Sequence, residues 1–167
     1  ARLSGSKMTD KQLFAFVLMP FGKEFDDVYK IGIKESAAHL GIRAERVDEQ
    51  IYNETILAQI YNQIDIADII IADMTGQNPN VFYEVGYSHA KEKLCILLTA
   101  NESDIPFDLK NRRHIIYKNS LVSLRDQLDK ELSWAKEECK KINISHVSLT
   151  NTSIWGYLDK TKYSANA

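Results

Sequence analysis

Two stretches of this chain, Phe14-Ala15-Phe16-Val17-Leu18-Met19 and Ile69-Ile70-Ile71-Ala72, are apolar at every position rather than at every second one. A strand with one wet face alternates; a strand covered on both faces does not, and such strands belong to parallel sheets. Between them the period changes to that of a helix. From Phe25 to Leu40 apolar residues recur through Val28, Tyr29, Ile31, Ile33 and Ala37, and Gly41 closes the segment. Asn53 to Ile66 repeats the pattern through Ile56, Leu57, Ile60 and Ile64. Ile42 to Val47 reads as a weaker strand, Leu94 to Thr99 and His114 to Tyr117 as two more. Pro79 to Lys91 and Leu121 to Lys141 read as helices. Strands that alternate with helices predict an α/β, doubly wound (flavodoxin-like) fold: a five-stranded parallel sheet of order 2-1-3-4-5 with helices on both faces.

The 167 residues amount to one domain, placed at 13–142. Residues 1–12 are expected to be an engineered scar, a linker or the cut edge of a longer protein. Residues 143–167 have no clear period; with Trp155 and Tyr157 they are expected to pack on the domain, add an edge strand or lead into a further segment. A net charge of −2 and a pI near 6.1 give no basic footprint, so no nucleic-acid partner is expected. No run approaches the ~18 apolar residues of a membrane span, so no membrane partner is expected either. Cys95 and Cys139 suggest no disulfide framework, which points to the cytoplasm.

In sheets of this order a ligand binds beyond the carboxyl ends of strands one and three, where the order reverses. The loops there are Met19-Pro20-Phe21-Gly22 and Asp73-Met74-Thr75-Gly76-Gln77-Asn78-Pro79-Asn80. They supply the candidate binding residues Pro20, Phe21, Gly22, Asp73, Thr75, Gly76, Asn78 and Asn80. Asp48, near the end of strand two, is a further candidate, although with Arg46 it also reads as a plain surface ion pair. Asn78-Pro79 is a helix start, with Asn as cap and Pro at the first position; free amides there would suit a phosphate or carboxylate. Asp73 could hold sugar hydroxyls or merely cap a turn with Thr75 and Gly76. Phe21 could stack on a base or belong to the core.

Glu84 lies in the second turn of that helix, beyond the reach of the dipole's stabilisation, among Val81, Phe82, Tyr83, Val85 and Tyr87. A carboxylate on a mostly apolar helix either faces solvent or is buried with a raised pKa. Gly86 leaves room for a ligand or for close packing on the sheet. His39, His89, His114 and His146 show no metal-ligand spacing, so no metal is expected. His89, one turn beyond Glu84, is a site contact or a surface residue. Glycine-rich dinucleotide and phosphate-loop motifs are absent. A phosphate-accepting receiver would need an acidic pair where Met19-Pro20-Phe21-Gly22 stands.

The run Phe16 to Phe21, together with Asp68-Ile69-Ile70-Ile71-Ala72-Asp73-Met74-Thr75-Gly76-Gln77-Asn78-Pro79-Asn80-Val81-Phe82-Tyr83-Glu84-Val85-Gly86, resembles the nucleoside 2-deoxyribosyltransferase-like group. That group is similar in fold to the TIR domains of bacterial immunity, and the resemblance covers about residues 14–118. It implies that Glu84 is the catalytic carboxylate that attacks the anomeric carbon, and that Asp73 helps hold the nucleoside. The transferases carry an aspartate six residues before the nucleophile; this chain has Asn78. That departure favours cleavage over exchange of bases. The TIR-like relationship implies hydrolysis of the nicotinamide–ribose bond of NAD or of another nucleotide, with NAD as substrate and no cofactor, in an anti-phage effector built as a homo-oligomer. Two other readings stand beside this one: a deoxyribosyltransferase, and a non-catalytic module that binds a nucleotide signal or self-assembles.

Overall fold

The computed structural model describes residues 11–49 and 56–162, and side chains over 11–48 and 56–142. Five strands form one all-parallel sheet in the order β2-β1-β3-β4-β5: β1 (Phe14–Leu18), β2 (Arg43–Arg46), β3 (Ile69–Asp73), β4 (Leu94–Thr99) and β5 (His114–Ile116). The expected order is the observed one. Every residue of β1 and β3 is buried, which is what their unbroken apolar sequences require. In register, Phe16 lies beside Ile70 and Leu18 beside Ala72, while Ile71 lies beside Ile96.

Helix α2 (Ile56–Ile66) and helix α3 (Pro79–Ala90) cover one face. Ile60 and Ile64 of α2 and Val81 and Val85 of α3 form one core with Phe14, Phe16, Leu18, Ile70 and Leu97. The other face belongs to α1, residues 28–39, and to the first turns of α4 (Leu121–Lys162), with Tyr29, Ile33, Leu124 and Leu128 buried. α1 begins as a π-helical segment, Val28–Lys34, and continues as the α-helix Glu35–His39. A widened turn is a local departure that apolar periodicity does not reveal. Gly32 lies within it, and a β-carbon there would come within 2.6 Å of Leu124 Cδ2. The absent side chain is what lets α1 and α4 approach this closely.

The expected start of α2 at Asn53 falls outside the described residues. One expectation changes. The last helix does not stop at Lys141 but runs on to Lys162, so residues 143–162 form no edge strand. The chain divides into two compact units between Leu132 and Ser133. Within the second, Lys140 and Lys141 pair with Glu137 and Glu138 one turn earlier. Among the described residues no helix is long and apolar enough to cross a membrane.

Candidate functional site

Pro20 ends β1 because it has no N–H to offer the sheet and fixes its own backbone. The chain turns there and leaves Phe21 57% exposed. At the end of β2, Arg46 turns inward instead. Its Nε and Nη2 each donate to the Asp48 carboxylate at 2.7 Å, and Nη2 lies 3.5 Å from Asp26. Its guanidinium carbon is 4.6 Å from the Tyr29 ring centroid and 5.5 Å from that of Phe21. Arg46 is therefore a buried brace behind the β1 exit, with Asp48 as its counter-ion.

The loop after β3 is held by side chains. Asp73, fully buried, accepts hydrogen bonds from the Thr75 amide at 3.0 Å, the Thr75 hydroxyl at 2.6 Å and the Tyr117 hydroxyl at 2.8 Å. Burial pushes its carboxyl pKa up, and the Thr75 and Tyr117 hydrogen bonds pull against that rise. Thr75 Oγ1 in turn accepts from the Ala100 amide, and the Gly76 amide donates to Asp104. Gly76 has φ +77°, and Gln77 follows at +55°; glycine adopts that left-handed backbone without steric cost. The turn-capping reading of Asp73 thus describes its contacts, which lie toward β4 and β5.

Asn78 caps α3 with extended backbone (φ −62°, ψ 120°) and Pro79 follows at the first helical position. Its Oδ1 accepts from Asn80 N at 2.9 Å and Val81 N at 3.4 Å, and its carbonyl accepts from Phe82 N at 3.2 Å. Pro79 has no amide proton. With Asn80 and Val81 capped and Pro79 lacking a proton, residues 79–81 of the first turn offer no free amide of the kind expected there.

Between these elements lies a cavity of about 320 Å³. Met19, Pro20 and Phe21 line it from the β1 exit, and Val47 from beyond β2. Ile56, Leu57 and Ile60 close the α2 side; Asn78, Asn80, Val81, Tyr83 and Glu84 close the α3 side. Of the expected site residues, Pro20, Phe21, Asn78, Asn80 and Glu84 come together here. Gly22, Asp48, Asp73, Thr75 and Gly76 do not line the cavity. Gly22 lies under the Glu24 carboxyl, which a β-carbon there would meet at 2.4 Å. Gly86 faces open space rather than the sheet, which removes the close-packing reading. His89 feels Arg112, and burial with that neighbouring charge lowers its pKa; it does not line the cavity.

Glu84 is half-buried, and no described residue donates to its carboxylate. Burial alone pushes its pKa up to about 7. Beside it, the Tyr61 hydroxyl donates to that of Tyr83 at 2.7 Å, while the Tyr61 ring packs on Tyr87 with centroids 4.4 Å apart. The sequence reading missed Tyr61, Val47 and the α2 wall. Tyr83 and Tyr87, four residues apart on one helical face, were the available signal. Among the described residues no three His, Cys, Asp or Glu side chains gather as metal ligands would.

No family model matches the chain, and no curated protein matches it. Solved structures do. A 2-deoxyribosyltransferase from Bacillus psychrosaccharolyticus is similar with TM-score 0.55 at 13% identity, over 70% of this chain and 90% of that one. The CMP N-glycosidase of Clostridium botulinum is similar with TM-score 0.54 at 19% identity, over 70% and 97%. The TIR domain of a Toll-related receptor from Hydra magnipapillata gives TM-score 0.56 at 11% identity, over 70% and 96%. At these identities the likeness shows a shared fold.

Proposed function

We propose that this chain cleaves the N-glycosidic bond of a nucleoside or nucleotide, with Glu84 as the catalytic carboxylate. The observation that carries this reading is the Glu84 carboxylate, to which no described residue donates, in the wall of an apolar cavity at the switch between β1 and β3. The position is the one where sheets of this order bind ligands. Two of the similar structures carry names for this kind of chemistry, a deoxyribosyltransferase and a CMP N-glycosidase.

As the bond from the anomeric carbon to nitrogen breaks, the sugar takes on oxocarbenium character. A half-buried carboxylate stabilises that charge or captures the carbon as an ester, which water then opens. Phe21, exposed at the rim, offers a face on which the base can stack. Asn78, committed to its helix cap, adds no second carboxylate, and so hydrolysis is the outcome the wall supports better than transfer.

The test is release of free base, followed by chromatography, from NAD, CMP and a panel of ribo- and deoxynucleosides. Glu84→Gln keeps the shape and removes the charge, and should lower the rate at least ~100-fold. Undiminished release from Glu84→Gln would overturn the assignment. A protein that binds these compounds but releases no base from any of them would be a binding module.

A further inference from the structure

The carbon side of the scissile bond has its group in Glu84; the nitrogen side needs one as well. A neutral base that leaves without a proton leaves as an anion, and a positioned acid speeds its departure by about 10²–10⁴-fold. Glu84 cannot be that acid while its ionised form meets the anomeric carbon.

Tyr83 stands beside Glu84 in the same wall. Asn80, Tyr83 and Glu84 are spaced to share one face of α3, and all three line the cavity. The Tyr83 hydroxyl oxygen accepts the Tyr61 proton at 2.7 Å. The proton of Tyr83 itself is therefore not spent on Tyr61, and among the described residues no group accepts it. Tyr83 is also exposed, so solvent can restore its proton after each turnover.

The bond from Tyr61 makes Tyr83 a better acid, because the charge left on the Tyr83 oxygen is already met by a donor. Tyr61 is held in turn. Its ring packs on Tyr87 with centroids 4.4 Å apart, the Tyr87 hydroxyl donates to Asp65 at 3.4 Å, and Lys91 Nζ lies 5.3 Å from the centre of the Tyr87 ring. The bond to Tyr83 pushes the Tyr61 hydroxyl pKa up to about 12, so Tyr61 keeps its proton at neutral pH. Three tyrosines from two helices thus end at one free proton in the cavity wall.

Resting on the glycosidic reading above, we infer that Tyr83 is the acid that protonates the departing base, that Tyr61 is its positioning residue, and that the substrate carries a neutral base. As the C1′–N bond breaks, its electron pair passes to the base, which takes the Tyr83 proton. C1′ forms an ester with a Glu84 carboxylate oxygen, and the charge on the Tyr83 oxygen rests against the Tyr61 hydroxyl. Water then opens the ester. Its hydroxyl goes to C1′, its other proton goes to Tyr83, and the Glu84 carboxylate is regenerated.

Kinetics of the parent, Tyr83→Phe and Tyr61→Phe on two classes of leaving group test this. Uridine, cytidine, adenosine and their 2′-deoxy forms need an acid; nicotinamide riboside and 4-nitrophenyl β-D-riboside do not. Tyr83→Phe should lower kcat/KM at least ~100-fold in the first class, and its loss in the second should be at least ~10-fold smaller. Tyr61→Phe should show the same split with a smaller loss, and both variants should melt with the parent. Equal losses in the two classes, or no loss with neutral bases, overturn the inference, as does a parent that releases only the activated groups. Where the parent acts on neutral bases alone, the solvent deuterium isotope effect on kcat/KM decides. It should shrink toward one in Tyr83→Phe, and an unchanged effect overturns the inference. Failure of the glycosidic reading shows separately, as no release by the parent from any probe, and sinks both.

Discussion

Glu84 places the chain's chemistry in tension with its stability. Burial raises the carboxyl from its ordinary 4.5 to about 7, so over that interval the folded chain holds a proton that the unfolded chain has lost. The stability this provides is full below about 4.5 and is lost as pH rises through about 7. Glu84→Gln stays neutral throughout. It should therefore melt higher than the parent at about pH 8, by on the order of 2 kcal/mol once partial exposure is allowed for, and match it near pH 4. Activity runs the other way, because only the ionised carboxylate can capture the sugar. The kcat/KM profile should rise with pH and level off above an apparent pKa near 7. A profile flat from pH 5 to 9 would remove Glu84 from the reaction. That Glu84 is partly buried was legible from its apolar neighbours; that no described residue donates to its carboxylate was not, because that depends on every element packed around it.

At the scale of an element, α3 is fixed at its first turn and by the loop before it. Asn78→Ala removes an oxygen that serves two amides and should cost about 1 kcal/mol in thermal or urea melts. Asn78→Asp keeps that oxygen and adds a negative charge that the helix dipole favours. It should melt at or above the parent in the same thermal or urea melts. The cap was readable from the dipeptide Asn78-Pro79, since capping is local chemistry. The latch around Asp73 was not, since its partner Tyr117 is 44 residues away. Nor was the α2 wall: Ile56 and Leu57 obey the same period as core residues, yet stand 66% and 50% exposed at the cavity. The extension of α4 escaped notice because the sequence after Lys141 carries no single apolar stripe.

For the molecule as a whole, the sheet order was legible because β1 and β3 leave no polar face and so must lie inside. Their interior carries much of the stability. Ile71, fully buried between β1 and β4, should lose about 2–5 kcal/mol as Ala, read as a lower urea midpoint with an unchanged slope. Phe21, Ile56, Leu57 and Tyr83 are different, since each exposes half or more of its surface at the cavity rim. Substitutions at exposed positions of this kind usually shift stability by no more than about 0.5 kcal/mol. The Asp73 latch, meanwhile, holds the loop from the far side. A lineage carrying this chain can therefore vary what its cavity admits by changing the rim, residue by residue, without first acquiring compensating mutations in the frame.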